Sequence, residues 1–176
     1  SASLAPDGCR RFIAYSLLGT QMGKGKIIVS AGLVTGVVVL DVVTKSWALS
    51  ALGGGRTIEL VGGWVPLTLA FNRGAAFGLS IGSDPRWIFI PITLVAVAFL
   101  LLLIRQAGTD ERLQVASASL ILGGAIGNLY DRLRWDVGVV DFIGPIDLGF
   151  MLWPIFNVAD MAISCGAVLL AISFWR

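Results

Sequence analysis

The sequence predicts an all-α membrane protein of four transmembrane helices. Of its 176 residues, 56% are hydrophobic and only 14% are charged, which is too apolar for an ordinary soluble domain. Four apolar stretches reach roughly the 20 residues that a helix needs to cross a bilayer. None of them alternates in the in-and-out pattern of a barrel strand.

Taken in chain order, residues 1–21 carry Arg10, Arg11 and a brief apolar run, but no small-residue cleavage site follows. They are expected to be an extension and not a signal peptide, with Met22 as the natural start and 22–176 as a single four-helix domain. Span one is uncharged over residues 27–40 and continues through Asp41 and Lys45 to about residue 48. Spans two and three, 87–104 and 113–130, are uncharged and form a hairpin around the polar turn RQAGTDER. Span four, 156–175, holds one charge, Asp160.

Four crossings put both termini on one side. Arg10, Arg11, Lys24, Lys26, Arg105, Arg112 and Arg176 fall there in short segments, so that side is expected to be cytoplasmic. Arg56, Arg73, Arg86, Arg132 and Arg134 lie on the other side, spread over two longer loops. Gly32-x-x-x-Gly36 in span one and Gly123-x-x-x-Gly127 in span three are expected to let helices approach closely. Glycines 123, 124 and 127 do not make a phosphate loop, because no strand precedes them and no Lys-Ser/Thr follows.

Composition also excludes chemistry. The chain has no histidine, which removes Ser-His-Asp and Cys-His catalysis and the usual histidine metal sites. Cys9 and Cys165 are far apart and suggest neither a disulfide framework nor a metal cluster, with Cys165 expected to pack inside span four. A net charge of +2 without a basic stripe argues against a nucleic-acid partner.

The four-span arrangement has a consequence of its own: the ends of spans one and three and the starts of two and four share the non-cytoplasmic face. Every unusual polar cluster is there. DVVTK (41–45) ends span one, FNRGAAFG (71–78) lies in the first outer loop, GNLYDR (127–132) ends span three, VVDF (139–142) lies in the second outer loop, and FNVAD (156–160) starts span four.

Each cluster also has a plainer reading. Asp41 and Lys45 are four apart and suit a helical ion pair. Asn72-Arg73-Gly74 suits a turn, and Gly74, Ala75, Ala76 and Gly78 suit close packing. Asp131 and Arg132 suit an interfacial pair at a helix end. Asn157 and Asp160 suit a helix cap and its reciprocal partner. Asp136 and Asp147 are expected to be solvated, whereas Asp141 sits among Val139, Val140, Phe142 and Ile143, whose side chains want burial. Ionisable groups within a span are expensive and tend to mark function.

Two carboxylates held close together cannot both ionise easily, which separates an acid from a base. Such a pair hydrolyses an amide without metal or covalent intermediate: the ionised member takes a proton from water and the protonated member serves the carbonyl and the leaving amine. Spacing alone leaves Asp41, Asp131, Asp141 and Asp160 all as candidates.

The set DVVTK, FNRGAAFG, GGAIGNLYDRL, VVDF and FNVADMAIS resembles signal peptidase II, the bacterial lipoprotein signal peptidase family, in order and in side of the membrane. The resemblance runs from about Met22 to the C-terminus. It implies an intramembrane aspartic endopeptidase, without cofactor or metal, that cuts a prolipoprotein just before its diacylglyceryl-modified cysteine. It maps the catalytic aspartates onto Asp141 and Asp160, and supporting or substrate-binding residues onto Asp41, Lys45, Asn72, Gly74, Asn128, Asp131, Arg132 and Asn157. Arg132 is expected to tether Asp131. It also implies a small β-rich cradle in the first extracytoplasmic loop, and TIEL and WVPLTLAF are compatible with its strands. The expected setting is the bacterial cytoplasmic (inner) membrane, as a monomer in contact with lipid, with the site near the extracytoplasmic face. The alternative is a small ion- or proton-coupled transporter or channel component, against which no polar chain crosses spans two or three.

Overall fold

The computed structural model describes residues 23–74, 84–108 and 111–175. The expectations placed on residues 1–21 and Met22, on Ala75, Ala76 and Gly78, and on Arg176 lie outside the described residues. Among the described residues, four helices are long and apolar enough to cross a membrane: α1 (Lys24–Ala51), α2 (Arg86–Gln106), α3 (Arg112–Arg134) and α4 (Val158–Trp175). Between them lie an antiparallel sheet of β1 (Thr57–Leu60), β2 (Val65–Asn72) and β3 (Val139–Ile143), and a small hairpin of β4 (Ile146–Asp147) and β5 (Leu152–Trp153). The expected class stands. The sheet differs from expectation in drawing its third strand from the second outer loop.

Helix α3 is the hub on which α1, α2 and α4 all pack. Its most apolar window is 56% buried, against 6–11% for the other three helices. That burial explains why it is also the least apolar span: more of its surface meets protein than in the other helices, and close helix contact favours small residues. Gly123 lies against Val34 and Val37 of α1, and Gly124 and Gly127 lie against Ala159 of α4. Ser119 donates to Ser30 across the α1–α3 contact at 2.8 Å. Gly32 and Gly36 do not follow the expectation, since no atom lies within 4 Å of where their Cβ atoms would be. Helix α1 turns the Val34 and Val37 side to α3 and leaves both glycines exposed. Cys165 is likewise exposed and not packed inside.

Two apolar clusters close the ends of the bundle. At one end Leu100, Ile104 and Ala107 meet Val115, Ala118 and Leu122. There Lys26 donates to the carbonyls of Arg105 and Ala107 at 3.1 and 2.7 Å, satisfying oxygens at the end of α2. At the other end Ala48, Leu52, Leu67 and Phe142 seat the sheet on the end of α1. Trp47 meets Phe142 edge-on, with ring centres 6.4 Å apart.

Strand pairing carries Asp141 to the end of the bundle. Strand β2 pairs with β3 so that Ala70 faces Asp141 and Asn72 faces Val139. Ile143 bridges to Phe156. The intervening GPIDLGFMLWP segment loops out as the β4–β5 hairpin, so Asp141 and the start of α4 become neighbours despite their separation in sequence.

Candidate active site

Helices α1 and α3 meet through a buried ammonium. Lys45 Nζ lies 2.7 Å from Asp41 Oδ2, 2.9 Å from Asp131 Oδ2 and 3.0 Å from Asn128 Oδ1, and all four residues are buried. Asn128 thus accepts a proton of the ammonium, and the two carboxylates flank it as ion-pair partners. This is not the solvated helical pair of the plainer reading, because removing one partner here strands a charge in a dry interior at a cost of about 3–5 kcal/mol.

The two aspartates of that cluster reach further. Asp41 Oδ1 accepts the Ala159 N–H at 2.9 Å, so a carboxylate from α1 satisfies a free donor at the start of α4, where negative charge suits the helix dipole. Gly127 makes room for it, since a Cβ at that position would stand 2.6 Å from Asp41 Oδ2. Asp131 Oδ2 accepts the Val140 N–H at 3.1 Å and hooks β3 onto α3.

Arg132 departs from its expected role. Asp131 is taken by Lys45 and Val140, and the Arg132 guanidinium instead lies 5.3 Å from the centre of the Phe89 ring and donates to the Asn128 carbonyl at 3.4 Å. Consecutive residues on a helix point about 100° apart, so one inward-facing aspartate leaves its neighbour facing elsewhere.

The capping reading of span four is correct and incomplete. Asn157 Oδ1 accepts the Asp160 N–H at 2.9 Å, and Asp160 Oδ2 accepts the Asn157 N–H at 3.2 Å, a reciprocal capping box. The same Asn157 donates through Nδ2 to Asp141 Oδ1 at 2.6 Å and lies 3.1 Å from Asn128 Oδ1. Asn128 Nδ2 donates to Asp160 Oδ1 at 2.8 Å. Asp141 from β3 and Asp160 from α4 are thus both bonded to Asn157, with Asn128 behind them.

Asn72 closes the cluster from β2. Its Oδ1 accepts the Gly74 N–H at 2.8 Å, and its side chain approaches Asp141. Gly74 has φ +95°, and the Phe89 ring fills the place of a Cβ, so no larger residue fits this turn. Burial, and next the charge of Asp160, push the Asp141 carboxyl up to about 7, against the pull of Asn72, Asn157 and Lys45. Asp160 is less enclosed and lies on the wall of an open cavity of about 560 Å³, with Asn72, Met151, Trp153, Met161 and Cys165 around it.

All ten residues singled out in the sequence lie in or beside this constellation, with Arg132 at its edge. What the sequence did not reveal is the Ala159 N–H as a partner of Asp41, or the hairpin side chains Met151 and Trp153 as cavity walls.

A family model described as signal peptidase (SPase) II matches residues 33–176. This chain belongs to the signal peptidase II family. Among its relatives, the lipoprotein signal peptidase of Syntrophomonas wolfei is 42% identical over 136 residues, covering 77% of this chain and 85% of the relative. That of Pseudomonas putida is 40% identical over 142 residues, covering 80% and 82%. A solved bacterial membrane enzyme superposes with a TM-score of 0.75 at 28% identity, covering 84% of this chain and 92% of that one. The protein is accordingly a multi-pass membrane peptidase, and the transporter alternative loses its support.

Proposed function

We propose that this signal peptidase II family member removes the signal peptide of a prolipoprotein by hydrolysis immediately before the diacylglyceryl-modified cysteine, with Asp141 and Asp160 as the acid-base pair. The observation that carries this reading is the shared bonding of both aspartates to Asn157 beside an open, mostly apolar cavity. One carboxylate draws a proton from water as it attacks the scissile carbonyl. The other, protonated, hydrogen-bonds the carbonyl oxygen and then protonates the leaving amine. Asn72 holds substrate backbone in this reading, which its position on the cavity wall supports.

The setting fits the substrate. A signal helix with a diacylglyceryl chain stays in the bilayer, so its peptidase must meet it at helix ends near the membrane surface. The positive-inside bias supports an extracytoplasmic site with both termini cytoplasmic, in the bacterial inner membrane. The four-helix unit of residues 22–176 acts as a monomer in contact with lipid. Nothing in the reaction calls for a cofactor or metal.

The test is cleavage by the purified protein of one prolipoprotein with and without its diacylglyceryl group, read by mass spectrometry. A single cut before the modified cysteine, with the unmodified form left intact, is expected. Equal cleavage of both forms, or a cut elsewhere, would refute the assignment.

A further inference from the structure

We infer that Lys45 is a positioning residue that fixes which way the Asn128 amide faces, and through it assigns Asp160 as the base and Asp141 as the acid. The inference rests on the proposed peptidase reaction and goes beyond it, since that reaction leaves the two roles open.

Groups that can only donate set the orientation of both amides. An ammonium has no acceptor, so the Asn128 atom 3.0 Å from Lys45 Nζ must be its oxygen. The other end of the amide, Nδ2, is then forced onto Asp160 Oδ1 at 2.8 Å. A backbone N–H fixes the second asparagine in the same way: the Asp160 N–H requires Asn157 Oδ1, which sends Asn157 Nδ2 to Asp141 Oδ1. Asn128 Oδ1, turned toward Lys45, also receives Asn157 Nδ2 at 3.1 Å, so the two amides hold each other in one orientation.

The donors fall unequally on the pair. Asp160 receives one on each oxygen, from Asn128 Nδ2 and from the Asn157 N–H. Asp141 Oδ1 receives Asn157 Nδ2, and Asn72 also approaches Asp141, but this carboxyl is the more deeply buried of the two. Donors to a carboxylate favour its charged form and burial opposes it. Negative charge therefore settles on Asp160, at the cavity wall where water enters, and the proton on Asp141. The other charged groups around the pair are Asp41 and Lys45 from α1 and Asp131 and Arg132 from α3. Asp41 and Asp131 are engaged by Lys45 itself, which among the described residues leaves Arg132 as a further cation near the pair.

Asn128→Asp tests this without emptying the Lys45 cluster, because it still offers Lys45 an acceptor while putting an acceptor where Asp160 needs a donor. With lipid-modified prolipoprotein, kcat is expected to fall about 100-fold with KM little changed, and the acidic limb of the pH–rate profile to move up by about one unit. Lys45→Met should move the limb in the same direction, and Lys45→Arg should restore it in part. Folding of each variant is checked by its melting temperature in detergent. If Lys45→Met fails to fold, Asn128→Asp alone decides. A pH profile for Asn128→Asp that overlays the parent apart from a uniform scale factor would overturn the inference. Asp141→Asn in the same assay separates the two readings, since an active Asp141→Asn refutes the acid-base pair itself, whereas an inactive one beside an unshifted Asn128→Asp refutes only the role of Lys45.

Discussion

Asp141 carries a pH signature. Its carboxyl titrates near 7 in the folded protein against 3.8 as the ordinary value, so the native state binds the extra proton between those limits. The sign follows from linkage: this group's contribution to stability is complete below about pH 4 and is lost as pH rises through about 7. The melting temperature in detergent is expected to fall between pH 5 and 8, and Asp141→Asn should flatten that slope. The same titration removes the acid, so cleavage should decline above about pH 7. Asp41→Asn acts differently, by weakening a buried pair: a loss of stability of about 3–5 kcal/mol and a smaller loss of rate are expected from thermal melts and kinetics. The residues themselves were legible because aspartates and asparagines are rare in apolar sequence. Their partners were not, since the Lys45–Asp131 and Asn157–Asp141 contacts span 86 and 16 positions, where local spacing is silent.

Among the elements, the four helices were read from apolar length alone, with ends shifted by a few residues. Span four begins two residues later than expected because Phe156 is bridged to Ile143 and Asn157 is its cap. Strand β3 was not read as a strand: VVDFI is buried on both faces and shows no alternation to betray it. The glycine pairs illustrate how one motif divides by context. Gly127 is pressed between Asp41 and Ala159, whereas Gly36 has open space around it. Gly127→Ala is therefore expected to destabilise by about 1–3 kcal/mol. Gly36→Ala should instead stabilise by about 0.5–1 kcal/mol through helix propensity. Thermal melts of the two variants check the contrast.

For the whole molecule, the bundle is organised around its least hydrophobic helix, and the sheet and hairpin gather at the end that holds the buried charges. Topology is tested with single cysteines in a Cys9→Ser, Cys165→Ser background. Gly108→Cys should label only from the cytoplasmic side and Phe150→Cys only from outside; the reverse pattern would invert the proposed orientation. The claim on which all else depends is that one carboxyl from β3 and one from α4 perform the hydrolysis together. It is tested most directly by single-turnover cleavage of a lipid-modified prolipoprotein by purified, folded Asp141→Asn and Asp160→Asn. Each variant is expected to lose cleavage by at least about 1,000-fold, and substantial turnover by either would contradict the account.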